Sequence, residues 1–294
     1  MKTIQFLALM LVALLGMSAC GNDDDGQKPT IDPLEINKSF TGYIFVSTNF
    51  FKDSYYGDQA TLKVVTTEGK HVVTFSDPQW GTAVFEDVKV DGTLSGTGTL
   101  TMNYRGENKT YDAILTGAME NPVITLPALM GSTAIVFYAG EAPYSCLLQG
   151  NYTGKNSVMV GESYGPYETT MTCKVTTNPD MTINVELPEY VLTGTAIGDL
   201  TPGKITIRNI AYDEGKTKYY RLYGADGLTQ HFKAEQGGNV TMDSDYAVAA
   251  DSYIEVDVVS DGETVGLEVK NHFKLGRMPF PIVAVFYGTV PNEE

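Results

Sequence analysis

Residues 161–165 read Gly-Glu-Ser-Tyr-Gly, the G-x-S-x-G spacing of a nucleophile elbow. That motif works where a strand turns sharply into a helix, exposing the serine and supplying oxyanion donors. Here "SVMV" precedes Ser163, but Pro166 and the strand-like "YETTMTCKV" follow. Gly, Ser and Pro are what a β-hairpin loop needs, so the loop is the simpler reading. A hydrolase would require Ser163 within about 3 Å of His231 or His272. Asp243 and Asp245 are a carboxylate pair suited to acid–base or calcium chemistry, and glycosidases hold two carboxylates roughly 5–9.5 Å apart. With 36 acidic residues in the chain, closeness in sequence marks a solvated loop rather than a site. His71, His231 and His272 stand apart with no metal-ligand spacing. No enzyme activity, metal or cofactor is expected. The aromatic residues are better candidates. There are 18 tyrosines and 1 tryptophan, and Tyr55, Tyr56, Trp80, Tyr190, Tyr219 and Tyr220 fall near turns or on exposed faces. Flat amphipathic rings stack on sugars and line apolar pockets while their polar edges hydrogen-bond. Tyrosine is also simply common in strands.

Strands must position these residues. In "MTINVEL", Met181, Ile183, Val185 and Leu187 alternate with polar residues. "YIEVDVV" and "TVGLEVK" alternate in the same way, which gives one wet and one dry face. "TLTMNYRGENKTYDAIL" reads as a hairpin turning at "RGEN". No stretch of ten or more residues beyond the leader carries a 3.6-residue pattern. The chain also repeats itself. "STAIVFYAGEAP" ends near residue 143 and "PIVAVFYGTVP" near residue 291, and the starts "FTGYIFV" and "QGNYTGK" match. Asp77-Pro78-Gln79-Trp80 aligns with Leu187-Pro188-Glu189-Tyr190. The expectation is an all-β protein of two related antiparallel barrels or sandwiches, over 38–143 and 144–291.

At the start, Lys2 precedes an apolar run over Ile4–Leu15. Its length suits a signal-peptide core and falls short of the roughly 20 apolar residues of a membrane span. The run ends in "GMSAC", which resembles a bacterial lipobox with Met17 where Leu is usual. The resemblance implies removal of residues 1–19 and acylation of Cys20, which would anchor the protein in outer-membrane lipid. Each buried methylene of such an anchor contributes roughly 0.8 kcal/mol. "GNDDDGQKPTIDP" then reads as a flexible tether over 20–37, too polar to fold. A calcium loop fails there, because Gly26 in its sixth position would put Gly21 at the first ligand position. Acidic residues after a lipidated cysteine also resemble the surface-export signal of Bacteroidetes lipoproteins. The net charge of −16 argues against binding nucleic acid or an anionic surface. Cys146 and Cys173 remain. Cys173 shares the apolar face of Met171 and Val175, as a buried free thiol would, although an exported protein could oxidise the two.

"TAIGDLTPGKITIRNIAYDEGKTKYYRLYG" and "LEVKNHFKLGRMPFPIVAVFYG" resemble the calycin-like β-barrel lipoproteins of Bacteroidetes, over most of residues 145–290. The first half is similar through "WGTAVFEDVKVDG" and its closing strand, but it is shorter and lacks the Gly-Asp turn. The resemblance implies tandem lipocalin-related barrels and no catalytic residues. The expected function is non-enzymatic capture of a small apolar or amphipathic molecule, or a glycan, in a barrel mouth or interdomain cleft at the cell surface. An aromatic-lined cavity would support it. The alternative is a structural or adhesive accessory subunit of an outer-membrane complex, with an exposed edge strand or apolar patch.

Overall fold

The computed structural model describes residues 35–260, 265–276 and 280–290. The leader, Cys20 and most of the tether lie outside the described residues. The packing of barrel 1 takes in residues slightly before the expected boundary at residue 38. Ile36 is already buried, and its N–H donates to Thr66 Oγ1 at 2.8 Å.

The first sheet comprises β1 (Asn37–Ser47), β2 (Ser54–Thr67), β3 (Lys70–Asp77), β4 (Gly81–Phe85), β5 (Lys89–Asp91), β6 (Thr93–Tyr104), β7 (Glu107–Ala118), β8 (Asn121–Leu126) and β9 (Thr133–Ala139). Each strand pairs antiparallel with its neighbours, and β9 returns to β1. Because β4 also pairs with β6, the sheet closes on itself. β5 lies end to end with β4 along β6, so the two are one strand broken at Glu86–Val88. The "RGEN" turn forms as expected. Tyr104 faces Glu107, and Arg105 and Gly106 both have positive φ (55° and 85°), as a two-residue hairpin turn demands.

A short helix, α1 (Tyr144–Leu147), leads into the second sheet. Its strands are β10 (Gly150–Val160), β11 (Tyr164–Thr177), β12 (Ile183–Leu187), β15 (Ile205–Asp213), β16 (Lys218–Leu222), β19 (Tyr253–Ser260), β20 (Val265–Phe273) and β21 (Ile282–Thr289), and they close a barrel. The remaining strands, β13 (Leu192–Thr195), β14 (Gly198–Pro202), β17 (Thr229–Gln236) and β18 (Asn239–Ala247), form a separate four-stranded sheet. This sheet was not foreseen. Its strands are inserted after β12 and after β16. In an antiparallel barrel both connections leave from the same end. Leu192, Leu200, Phe232 and Ala234 of the inserted sheet share one buried cluster with Leu187, Tyr223 and Phe273 of the barrel side. The sheet therefore caps that end. The Gly198-Asp199 turn belongs to this cap, which is why the first half lacks it and still closes.

The two barrels have the same strand order and separate cores. Barrel 1 buries Leu62, Phe75, Phe85, Leu100, Leu115, Ile135 and Phe137. Barrel 2 buries Val175, Val185, Ile207, Val256, Leu267 and Phe286. The expected inward residues Ile183, Val185, Leu187, Ile254, Val256, Leu267 and Val269 are buried, and Val258 packs half-buried against the same core. Met181 is the exception: it sits in the turn before β12, with φ +67° and 60 % exposure. Cys146 and Cys173 are buried free thiols. Burial pushes Cys173 up to about 12.

Candidate functional site

The repeat places Trp80 and Tyr190 at corresponding points, just after the third strand of each barrel. In barrel 1 the β3–β4 turn is set by Asp77, whose Oδ1 accepts from the N–H of Gln79 and of Trp80, each at 2.8 Å. Gly81 completes the turn with φ +81°, and a Cβ there would lie 2.1 Å from the Thr101 carbonyl oxygen. The indole thereby folds back over the end of the core and is buried. Tyr56 meets it edge-on at 5.3 Å, and Phe51 lies against Tyr56 at 5.9 Å. The Trp80 indole N–H is buried with no hydrogen-bond partner among the described residues. Such a group is uncommon and costly to leave unpaired.

The β1–β2 loop overhangs this point. Thr48 Oγ1 accepts from the N–H of Phe50 (3.0 Å) and of Phe51 (3.3 Å). Ser47 and Asp53 close the loop through two hydrogen bonds, and Asn49 ties it to Gly131 O at 3.1 Å. A loop so well bonded nevertheless leaves Phe50 82 % exposed. Met130, in the β8–β9 loop, and Tyr104, at the β6–β7 turn, are also exposed. These loops all leave the same end of barrel 1, the end corresponding to the capped end of barrel 2. Among the described residues barrel 1 has no cap sheet there.

The other aromatic candidates do not join this cluster. Tyr55 faces outward into a patch with Tyr43, Phe45 and Tyr138, where Tyr43 and Tyr138 stack at 5.1 Å. Phe45 is buried there although it lies outside the barrel core, and Gln149 Nε2 donates to Tyr55 O at 2.9 Å. Tyr55 thus belongs to the contact between barrel 1 and the segment entering barrel 2. Tyr190 packs against the barrel 2 core beneath the cap, beside the fully buried Asn156. Nearby, the buried Tyr223 hydroxyl donates to Asn271 Oδ1 at 2.6 Å. Tyr219 is a buried core residue. Tyr220 is half-buried against Tyr253, with Lys216 Nζ 4.5 Å from its ring centre. Of the six expected residues, Trp80 and Tyr56 are thus the two whose rings meet, and Phe51, with Phe50 beside it in sequence, adjoins them. Sequence reasoning missed Phe50 and Phe51, although "NFFKD" in a turn is the visible signal.

Burial is the first cause that pushes both the Tyr190 and Tyr55 hydroxyls up to about 12; Asn156 partly offsets it at Tyr190, and Asp58 adds to it at Tyr55. The folded state thus holds these protons more tightly than the unfolded chain, where tyrosine titrates near 10. Their stabilisation is complete below pH ~10 and is lost as pH rises toward ~12. The urea midpoint should accordingly fall across that window, and Tyr190→Phe should flatten the fall. A midpoint independent of pH there would contradict the assigned burial.

Ser163 is exposed in the turn between β10 and β11, with a strand following it. Both ring nitrogens of His231 are engaged on the cap sheet, Nδ1 by Asp245 at 2.9 Å and Nε2 by Asp243 at 3.2 Å. His272 stacks on Tyr253 at 4.6 Å. The serine–histidine arrangement is thus not assembled, and the aspartate pair holds a histidine. Among the described residues no His, Cys, Asp and Glu group is placed to hold a metal ion.

The cavity expectation is corrected. The barrel 1 interior is filled by side chains such as Leu62, Phe75, Phe85 and Phe137 at 0 % exposure. A concavity of about 380 Å³ lies where the linker leaves barrel 1, lined by Thr41, Gly42, Asp58, Gly140, Glu141, Ala142 and Leu147, with no aromatic ring. Any ligand of the aromatic cluster must sit on the rim.

No curated protein matches the chain. The chain is similar to a crystal structure of a candidate outer-membrane protein of Bacteroides fragilis, at 22 % identity and TM-score 0.53, over 86 % of this chain and 97 % of that one. That likeness concerns the fold. A structure from Nostoc punctiforme, of a DUF3598-family protein of unknown function, aligns at 11 % identity over 86 % of this chain and 95 % of that one, with a TM-score of 0.19, too low to inform the fold. The calycin-like beta-barrel domain model matches residues 148–289, the span of the capped barrel, and the second half of this chain is therefore a calycin-like β-barrel domain.

Proposed function

We propose that the protein is a non-enzymatic surface lipoprotein that captures a small amphipathic molecule on the uncapped rim of barrel 1. Acylated Cys20 would hold it in the outer membrane, a location that agrees with the name of the Bacteroides fragilis structure. The observation carrying the proposal is the Trp80 indole N–H, buried and without a hydrogen-bond partner among the described residues, against the Tyr56 ring that Phe51 also touches, with Phe50 exposed on the same loop. A ligand with an apolar body and one acceptor would cover Phe50 and, by displacing the Tyr56 and Phe51 rings, reach and pair that donor. The filled interior confines it to the rim, so a fatty acid, a bile acid or the face of a glycan fits better than a molecule swallowed whole. A second reading uses the same rim: an accessory subunit of an outer-membrane complex, favoured by the exposure of Phe50, Tyr104 and Met130.

Trp80 is the only tryptophan, so its fluorescence reports this site alone. Titration with fatty acids, bile acids and neutral oligosaccharides should give a saturable change with one of them. The same ligand should raise the melting temperature, since it binds only the folded state. Phe50→Ala, at an exposed position, should weaken binding at least tenfold without altering the fold. Silence across all three classes, in fluorescence and in melting, would overturn ligand capture and leave the partner-docking reading.

A further inference from the structure

On the outer wall of barrel 2, away from the rim of barrel 1, Lys174, Thr176, Asn184, Glu186, Thr206 and Arg208 line a depression of about 110 Å³. Sheet register places them side by side. Lys174 stands opposite Glu186 and Thr176 opposite Asn184 across β11 and β12, and Glu186 stands opposite Thr206 across β12 and β15. The floor is held by a hydrogen-bond network. Asn184 Nδ2 donates to Thr176 Oγ1 at 3.2 Å and to Asn178 Oδ1 at 2.9 Å. Asn184 Oδ1 accepts from the Asn209 N–H at 2.9 Å. The Arg221 guanidinium donates to the Arg208 carbonyl, fixing the Arg208 backbone.

The charges in this depression do not cancel. Its one carboxylate, Glu186, is paired with Lys204 at 2.8 Å. Lys174 and Arg208 flank the floor, and neither makes an ion pair with a described residue. On a chain of net charge −16 this is a local excess of positive charge around fixed polar groups.

We propose that this depression is an oxyanion subsite, which takes a sulfate or carboxylate group carried on a hydroxylated molecule. The Arg208 fork suits two oxygens of such a group, and Lys174 adds a point charge from the opposite side. The Thr176 and Thr206 hydroxyls are placed for neighbouring hydroxyls of the same molecule. The depression suits one such group rather than a chain of sugars. This site is independent of the Trp80 rim.

Calorimetric titration tests it with three probes at constant ionic strength, chloride balancing the anion: inorganic sulfate, a sulfated disaccharide and its desulfated form. The sulfated disaccharide should bind at least tenfold more tightly than the desulfated one. Arg208→Gln should weaken it at least tenfold and Lys174→Gln several-fold. Lys155→Gln, which removes a cation paired with Glu168 at 2.6 Å, should change nothing, and Trp80 fluorescence should stay silent. Inorganic sulfate binding with the same sensitivity to the variants would support the site and show that the free anion suffices. Equal binding of the two disaccharides, no binding of either, or an equal loss in Lys155→Gln would overturn it. A fluorescence response would move the binding to the rim and also overturn it.

Discussion

Phe137→Ala is expected to remove about 3–5 kcal/mol from the stability of barrel 1, the usual range for deleting a buried aromatic ring. Phe137 lies on β9, the strand that closes the barrel against β1, and it has 0 % exposure. Its ring meets Phe75 edge-on at 6.4 Å and also fills the space beside Gly42, where a Cβ would approach its Cζ to 2.8 Å. The strand residues Phe75 and Gly42 wall this position, so the cavity left by truncation cannot readily collapse. Urea denaturation followed by Trp80 fluorescence measures the loss directly. A change below about 1 kcal/mol, as typical surface substitutions give, would contradict the assigned core.

The second large effect concerns closure itself. Gly154→Ala should cost barrel 2 about 3 kcal/mol, the upper end of overpacking penalties. A Cβ at Gly154 would lie 2.0 Å from the Tyr287 carbonyl oxygen and 2.5 Å from Gly288 Cα. Backbone cannot yield there without opening the β10–β21 ladder, in which Gly154 faces Gly288. Gly42 occupies the same place in barrel 1. It faces Ala139, and a Cβ on it would lie 2.0 Å from the Tyr138 carbonyl oxygen. The repeated Phe-Tyr of the two closing strands thus meets a first-strand glycine in both halves. Thermal melting by circular dichroism checks the prediction, and a Gly154→Ala protein as stable as wild type would contradict the closing register.

Much of this architecture was legible because a strand writes its two faces into alternate residues. β12, β19 and β20 were read that way. The hairpin of β6 and β7 was read from its "RGEN" turn, and the alignment of Trp80 with Tyr190 from the internal repeat; that alignment marks the exit of the third strand in both barrels. The cap sheet was not legible. β18, "NVTMDSDYA", is exposed along most of both faces, so it carries no apolar alternation. β13 and β14 are only four and five residues long and are interrupted by glycine and proline. The fate of the tyrosines was hidden for a related reason. Tyr55 and Tyr56 are neighbours on one strand and necessarily point to opposite faces. One meets the linker segment and the other meets Trp80, and which is which depends on packing partners far away in sequence. Tyr190 was expected near a turn or on an exposed face and packs under the cap instead.

The functional proposal depends on this asymmetry between two barrels of like strand order, one covered by an inserted sheet and one leaving its aromatic rim bare. It requires that each barrel be a body with its own core. Two internal reporters separate them: Trp80 for barrel 1, and for barrel 2 Cys173, which has 0 % exposure and can be alkylated only when that barrel opens. The decisive measurement compares Phe137→Ala with Phe286→Ala in moderate urea, following Trp80 fluorescence alongside Cys173 alkylation read by peptide mass spectrometry. Phe137→Ala should advance the Trp80 transition and leave Cys173 labelling nearly unchanged, and Phe286→Ala should do the reverse. If each substitution moves both signals together, the chain has one cooperative core and the account of two separate barrels is wrong.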